Sequence, residues 1–253
     1  MKYHKSYINL KSPYILTCEH ASDFIPPEYL DLGLSKEELK NSKDLYDPNS
    51  LDLAKKLFKS LKASLIYPQF SRLLIDANRN LDIDIKNCNT YHSACLKTDL
   101  LVEKDNKEYL IPIPGNNILE EKKRWGKYIK PYLLETEKLV EKLLKKFSQV
   151  YIFQIHSFYP KYNGEIRNVD IGVVHNQTKI AKKFINELKN QTELTIGDNK
   201  PWGMSVVGGG IFYNLAKDER IEDIGLDINN KLLTTDREIE KIEKILTTSI
   251  KYL

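Results

Sequence analysis

A chain of 253 residues, 41% hydrophobic and 29% charged, lies in the size range of one α/β domain with a core of its own. Its net charge of +4 comes from 39 basic against 35 acidic residues. These are mixed along amphipathic stretches such as 120–146, which describes a solvated helix face and argues against a nucleic-acid partner. Cys18, Cys88 and Cys95 form an odd set with no C-x-x-C pair, so neither a disulfide framework nor a thiolate zinc site is expected. There is no long apolar run, and residues 1–11 lack an apolar signal core, so the expectation is a cytoplasmic protein without a membrane partner.

In chain order, the apolar run Tyr14 to Cys18 reads as a strand and 50–61 as an amphipathic helix. Ser64 to Tyr67 and Leu73 to Ile75 read as strands, followed by a long helical pattern over 119–147. Strands at Val150 to Ile155 and Val169 to Val174, a helix over 178–190, a strand at Ile224 to Ile228 and a helix over 236–252 complete the series. This alternation predicts an α/β fold with a mainly parallel or mixed central sheet flanked by helices. Residues 80–115 are the least regular stretch, and no linker marks a domain boundary, so 1–253 reads as a single domain.

Ligands of such sheets bind beyond the carboxyl ends of the strands. Of five histidines, His20 and His156 each directly follow a strand-like apolar run. A catalytic zinc commonly takes two imidazoles and one carboxylate, leaving a position for water. Alternatively, each histidine is a hydrogen-bonded strand-end residue. Glu19, Asp23, Asp44 and Asp47 are the candidate third ligands. Continued strand alternation sets Glu19 opposite His20. Asp23, three residues after His20, is therefore the first choice, and Asp47, which also suits the N-cap of the 50–61 helix, is the second.

The stretch Ser71 to Arg79 sets Arg72, Asn78 and Arg79 around an apolar run ending in Asp76. Guanidinium groups grip carboxylates with paired hydrogen bonds, so an acidic small-molecule substrate would find a clamp there, unless the arginines instead pair with Asp76. Arg167, before VDIGVV, is a further candidate. Asp227 lies inside the apolar run IGLDI, where an unpaired charge is costly, so it is the candidate general base, with a salt-bridged strand residue as the alternative. Gly208 to Gly210 with Phe212 and Tyr213 suggest a flap over the site.

Together LTCEHASDFIP (16–26), LYDPNSLDLAKKL (45–57), SRLLIDANRN (71–80), FQIHSF (153–158), RNVDIGVV (167–174) and IGLDINNKLL (224–233) resemble the N-formylglutamate amidohydrolase family. That family is similar in fold to zinc carboxypeptidases and aspartoacylases, so the resemblance implies a phosphorylase/hydrolase-like fold. The resemblance implies zinc held by His20 and His156, a substrate carboxylate on Asn78 and Arg79, and Arg72 at the carbonyl oxyanion. The zinc peptidases carry glutamate where this chain has Asp23. The family's late strand carries glutamate and arginine where this chain has Asp227 and Asn229. The implied reaction is hydrolysis of an N-acyl amino acid, with a peptide or cell-wall amidase and a catalytically weakened binding protein as the other readings.

Overall fold

The computed structural model describes residues 2–79, 81, 95–203, 211–212 and 214–253. The described strands are β1 (His4–Tyr7), β2 (Tyr14–Thr17), β3 (Ser64–Pro68), β4 (Asp99–Lys104), β5 (Lys107–Pro112) and β6 (Val150–Phe158). They continue with β7 (Lys161–Tyr162), β8 (Glu165–Ile166), β9 (Ile171–Val174), β10 (Ile196–Asp198) and β11 (Ile221–Asn229). The helices are α1 (Lys36–Lys40), α2 (Ser50–Leu61), α3 (Glu121–Arg124), α4 (Lys130–Leu144), α5 (Lys179–Gln191) and α6 (Asp236–Lys251).

A seven-stranded mixed sheet runs in the order β1-β3-β2-β6-β11-β9-β10. Its central strands β3, β2, β6 and β11 are parallel, β1 pairs antiparallel with β3, and β9 pairs antiparallel with β11. The fold is therefore α/β with a mixed sheet, as the alternation of patterns predicts. Neighbouring residues of one strand feed opposite cores, because side chains alternate across a sheet covered on both faces. Leu16, Phe153, Ile155, Leu226 and Ile228 pack against α2, α5 and α6; Ile15, Ile66, Ile152 and Ile221 pack toward α4.

Helix patterning follows the same logic. In α2, Leu53, Ala54, Leu57 and Leu61 are buried on one stripe, and in α6 the stripe is Ile239, Ile242, Leu246 and Ile250. Thr235 and Glu238 close a reciprocal capping box at the start of α6, an arrangement that contributes about 1 kcal/mol.

Three elements depart from expectation. Leu73 to Ile75 are fully buried but form a turn, in which Ser71 accepts from Leu73 N through Oγ and from Leu74 N through its carbonyl. A three-residue apolar run signals burial and says nothing about a pairing partner. The 119–147 pattern is interrupted by a π-helical turn at Trp125–Ile129 between α3 and α4. The hairpin β4–β5 fills part of the irregular region, its strands mixing charged with apolar residues. Among the described residues no helix is long and apolar enough to cross a membrane.

On the α4 side, the core face of the central strands turns polar toward their carboxyl ends: Ile15 gives way to Thr17, Ile152 to Gln154 and His156, and Ile221 to Asp223 and Asp227. Gln154 Nε2 donates to Asp223 Oδ1 over 2.7 Å. Burial pushes the Asp223 carboxyl up to about 7, the nearby Glu19 charge adding to the rise. An unfolded aspartate releases its proton near about 3.9. Between those values the unfolded chain gives up a proton that the folded chain keeps, so stability falls as pH rises, by up to ~4 kcal/mol. Asp223→Asn is therefore expected to raise the thermal midpoint at pH 8 and to leave it nearly unchanged at pH 4. Equal shifts at both values, read by calorimetry, would contradict this.

Candidate active site

The site is built where β2 and β6 end. Thr17 pairs with Gln154, so two residues further along each chain bring Glu19 beside His156. β2 stops at Thr17, and residues 19–20 form a turn. The alternation that would separate Glu19 from His20 therefore ends with the strand, and both reach the site. Asp47 enters from the loop before α2, where its N–H donates to the His20 carbonyl (3.0 Å) and Ser157 Oγ donates to the Pro48 carbonyl (2.7 Å). Asn49, the actual N-cap of α2, absorbs the sharp bend at φ +61°, a conformation that asparagine tolerates. The Asp47 carboxylate is thus free of capping and turns to the histidines.

His20 Nδ1 and His156 Nδ1 approach the same atom, Asp47 Oδ2, at 3.2 Å and 2.9 Å. Behind the rings, His20 Nε2 lies 2.8 Å from Asp76 Oδ1 and His156 Nε2 lies 3.3 Å from Glu19 Oε2. A bound cation would take the Nδ1 lone pairs of both rings and leave each Nε2–H to the carboxylate behind it. Among the described residues, His20, Asp47 and His156 are buried and present ligand atoms within 4.8 Å of one another. The chemistry of this donor set and the carboxylates behind it fit a divalent cation.

The electrostatics are those of a tight charge cluster. Burial alone would raise the Asp47 carboxyl, but His20 and His156 hold it well below the usual carboxylate range. Burial would lower His156, yet the hydrogen bonds to Asp47 and Glu19 lift it well above the ordinary imidazole value. Arg72 donates to Asp47 Oδ1 (3.3 Å) and Asp76 Oδ2 (3.4 Å), tying the two carboxylates together.

Asp23 is exposed and lies outside this group. The chain after His20 does not fold back, for residues 21–26 have no regular structure and Ser22 Oγ accepts from Phe24 N in a local turn. Asp44 is buried in its own network with Lys97, Leu101 N and Tyr162.

Asn78 and Arg79 sit at the rim: Asn78 Nδ2 is 3.3 Å from His156 Nε2, and an Arg79 terminal nitrogen donates to the Asn78 carbonyl. Asp227 is buried in β11 next to His156 of β6, and its Oδ2 accepts from Trp202 Nε1 at 3.2 Å. Burial, reinforced by the charge of Asp47, raises its carboxyl. Its neighbour across β9 is Gly172, where a Cβ would stand 2.5 Å from the Lys200 carbonyl. The missing side chain is what lets the Lys200–Trp202 segment reach Asp227. Arg167 is stacked between Tyr162 and Trp202, 4.6 Å from each ring centroid.

The suggested flap residues Gly208 to Gly210 and Tyr213 lie outside the described residues. Phe212 is buried against Tyr132. Sequence reasoning weighed Glu19 as a third ligand but ranked Asp23 and Asp47 before it, assigned no role to Tyr132 or Trp202, and took Asp76 only as a salt-bridge partner. Asp76 carried a usable signal, an acid at the end of an apolar run, whereas Trp202 carried none.

Comparison with known proteins agrees with this architecture. The chain is similar to a gene product of Agrobacterium tumefaciens (TM-score 0.78, 24% identity, covering 100% of this chain and 96% of that one). It is also similar to the N-formylglutamate amidohydrolase from Ralstonia eutropha (TM-score 0.68, 16% identity, 98% and 96% covered). No curated protein matches significantly. The family pattern of N-formylglutamate amidohydrolase matches residues 12–234, and the chain belongs to that family.

Proposed function

We propose that the chain is a zinc-dependent amidohydrolase that cleaves N-formyl-L-glutamate to formate and glutamate. The observation that carries this reading is the convergence of His20 Nδ1 and His156 Nδ1 on Asp47 Oδ2, in a chain of this family. Zinc held by these three residues would polarise the formyl carbonyl and make water more acidic.

The remaining work falls to the chain's own side chains. Asp227, with its carboxyl raised by burial, takes a proton from the attacking water and passes it to the leaving amine nitrogen. Trp202 holds one of its oxygens. Arg72 neutralises Asp47 and Asp76 and supplies positive charge where the carbonyl oxygen becomes negative. Arg79 and Arg167 make no ion pair with an acid among the described residues, and their guanidinium groups are available to a dicarboxylate. Arg79, beside Asn78, takes the carboxylate at Cα, and Arg167, stacked by two aromatic rings, takes the side-chain carboxylate.

Lysine offers neither the fork nor the stacking plane. Arg167→Lys is therefore expected to raise KM for N-formyl-L-glutamate by about 10- to 100-fold, the worth of a charge-assisted hydrogen bond, while kcat changes little. An equal loss with N-formyl-L-alanine, which has no side-chain carboxylate, would show that Arg167 does not read it. The reading as a whole is tested by formate release from N-formyl-L-glutamate beside a panel of N-acyl amino acids and peptides. Release of C-terminal residues with the N-acyl amino acids untouched would replace it with a peptidase.

A further inference from the structure

We propose that Asp44 and Tyr162 are positioning residues that lock the Arg167 guanidinium at one offset from Asp227, so that the site measures the side-chain length of an acidic substrate. This rests on the reading of Arg167 given above.

Asp44 is buried and stands outside the His20, Asp47 and His156 group. Lys97 Nζ donates to its Oδ1 and Leu101 N, in β4, to its Oδ2 (2.7 Å). The Tyr162 hydroxyl lies 2.9 Å and 3.1 Å from the same two oxygens. Lys43 N donates to the Leu101 carbonyl (2.8 Å), so the backbone beside Asp44 is fixed against the β4–β5 hairpin. A carboxylate withdrawn from water needs donors on both oxygens, and the phenol is the donor that ties this one to the β7–β8 hairpin.

That hairpin is small. β7 and β8 have two residues each, joined by Asn163 and Gly164 at φ +49° and +79°, the two-residue turn that Asn-Gly favours. An isolated two-stranded hairpin is at best marginally stable in water. Its hold comes from outside: Gly164 N donates to Glu108 Oε2 (2.7 Å), and Lys43 Nζ bridges Glu108 Oε1 and the Lys161 carbonyl. Arg167 follows β8 directly, and its N–H donates to the Pro160 carbonyl at the other end of the hairpin (2.8 Å).

The two walls of Arg167 are anchored separately. On one face the Tyr162 ring is tied to Asp44. On the other, the Trp202 ring is tied to Asp227 and packs edge-on against Phe158. A guanidinium stacked between two fixed rings keeps its fork in one plane, whereas an unstacked arginine would follow carboxylates at several positions. Because the Trp202 wall is also the Asp227 partner, the fork sits at a set offset from the proton acceptor. A side-chain carboxylate one methylene shorter than that of glutamate then falls short of the fork.

The test is steady-state kinetics of the zinc-loaded full chain with N-formyl-L-glutamate, N-formyl-L-aspartate and N-formyl-L-alanine. Tyr162→Phe keeps the ring and removes its tie to Asp44; Tyr162→Leu removes the ring. Tyr162→Leu is expected to raise KM for N-formyl-L-glutamate by about 2- to 30-fold, the worth of one cation–π face, and Tyr162→Phe by a smaller factor. In both variants kcat and the kinetics with N-formyl-L-alanine hold, and the preference for glutamate over aspartate narrows. Unchanged KM and preference in both variants, or an equal loss with N-formyl-L-alanine, would overturn the lock. A rise with Tyr162→Leu alone would remove Asp44 from it. Arg167→Lys separates the lock from the binding role of Arg167: a raised KM there with both Tyr162 variants at wild-type values overturns the lock alone, whereas an unchanged KM in Arg167→Lys overturns both.

Discussion

Asp47→Ala is expected to abolish stoichiometric zinc binding and to lower formate release on the order of 10³-fold or more. Its carboxylate is the one group among the described residues that touches both metal-facing nitrogens, and it also receives Arg72. Without it, two imidazoles and a guanidinium share a buried space with no anion at the centre, which disfavours a second positive charge there. Loss of the cation removes several kcal/mol of transition-state stabilisation, which corresponds to a rate loss of that order. Asp23→Ala is the discriminating control. The exposed Asp23 lies outside the group, so its removal is expected to leave zinc content and turnover within about twofold. Zinc lost with Asp23 and kept without Asp47 would reverse the assignment of the third ligand.

Asp227→Asn is expected to lower kcat by about 10²- to 10⁴-fold, the contribution of a general base, with zinc content unchanged. Its pH profile gives a second reading. Burial raises the Asp227 carboxyl above the ordinary aspartate value, with Asp47 adding to the rise and the Trp202 hydrogen bond opposing it. A base must be unprotonated to act, so the acid limb of kcat/KM is expected to follow the Asp227 carboxyl. Trp202→Phe removes the donor that steadies the charged form and is expected to move the limb higher still. A limb that moved down, or an Asp227→Asn variant with wild-type kcat, would remove Asp227 from the proton path.

The fold is legible in the sequence where apolar patterns are long or strictly periodic. The patterns for α2, α5 and α6 match the helices to within a residue or two, because each buries one stripe and exposes the other. β2, β6 and β11 announce themselves as apolar runs buried on both faces. The edge strand β1, HKSY, has no such signal because its pairing depends on β3, sixty residues away. The Leu73 to Ile75 turn looks like a strand because burial and strand pairing leave the same mark on three residues.

The candidate site is legible in its parts and not in its assembly. His20, His156 and Asp227 stand out because a polar residue directly after or within an apolar run is costly to bury unless a partner or a ligand meets it. Choosing between Asp23 and Asp47 requires knowing that the chain stays open after His20 and that Pro48 is pinned to Ser157. Neither fact is a property of local sequence. The role of Glu19 is hidden by strand alternation, a sound rule applied two residues past the end of β2.

The most direct test of the zinc assignment is elemental analysis of the wild type and Asp47→Ala alongside formate release from N-formyl-L-glutamate. One zinc per wild-type chain with formate released, and both lost in Asp47→Ala, is the expected result. A wild-type chain that releases formate with no metal bound, or an Asp47→Ala variant that keeps its zinc, would contradict it.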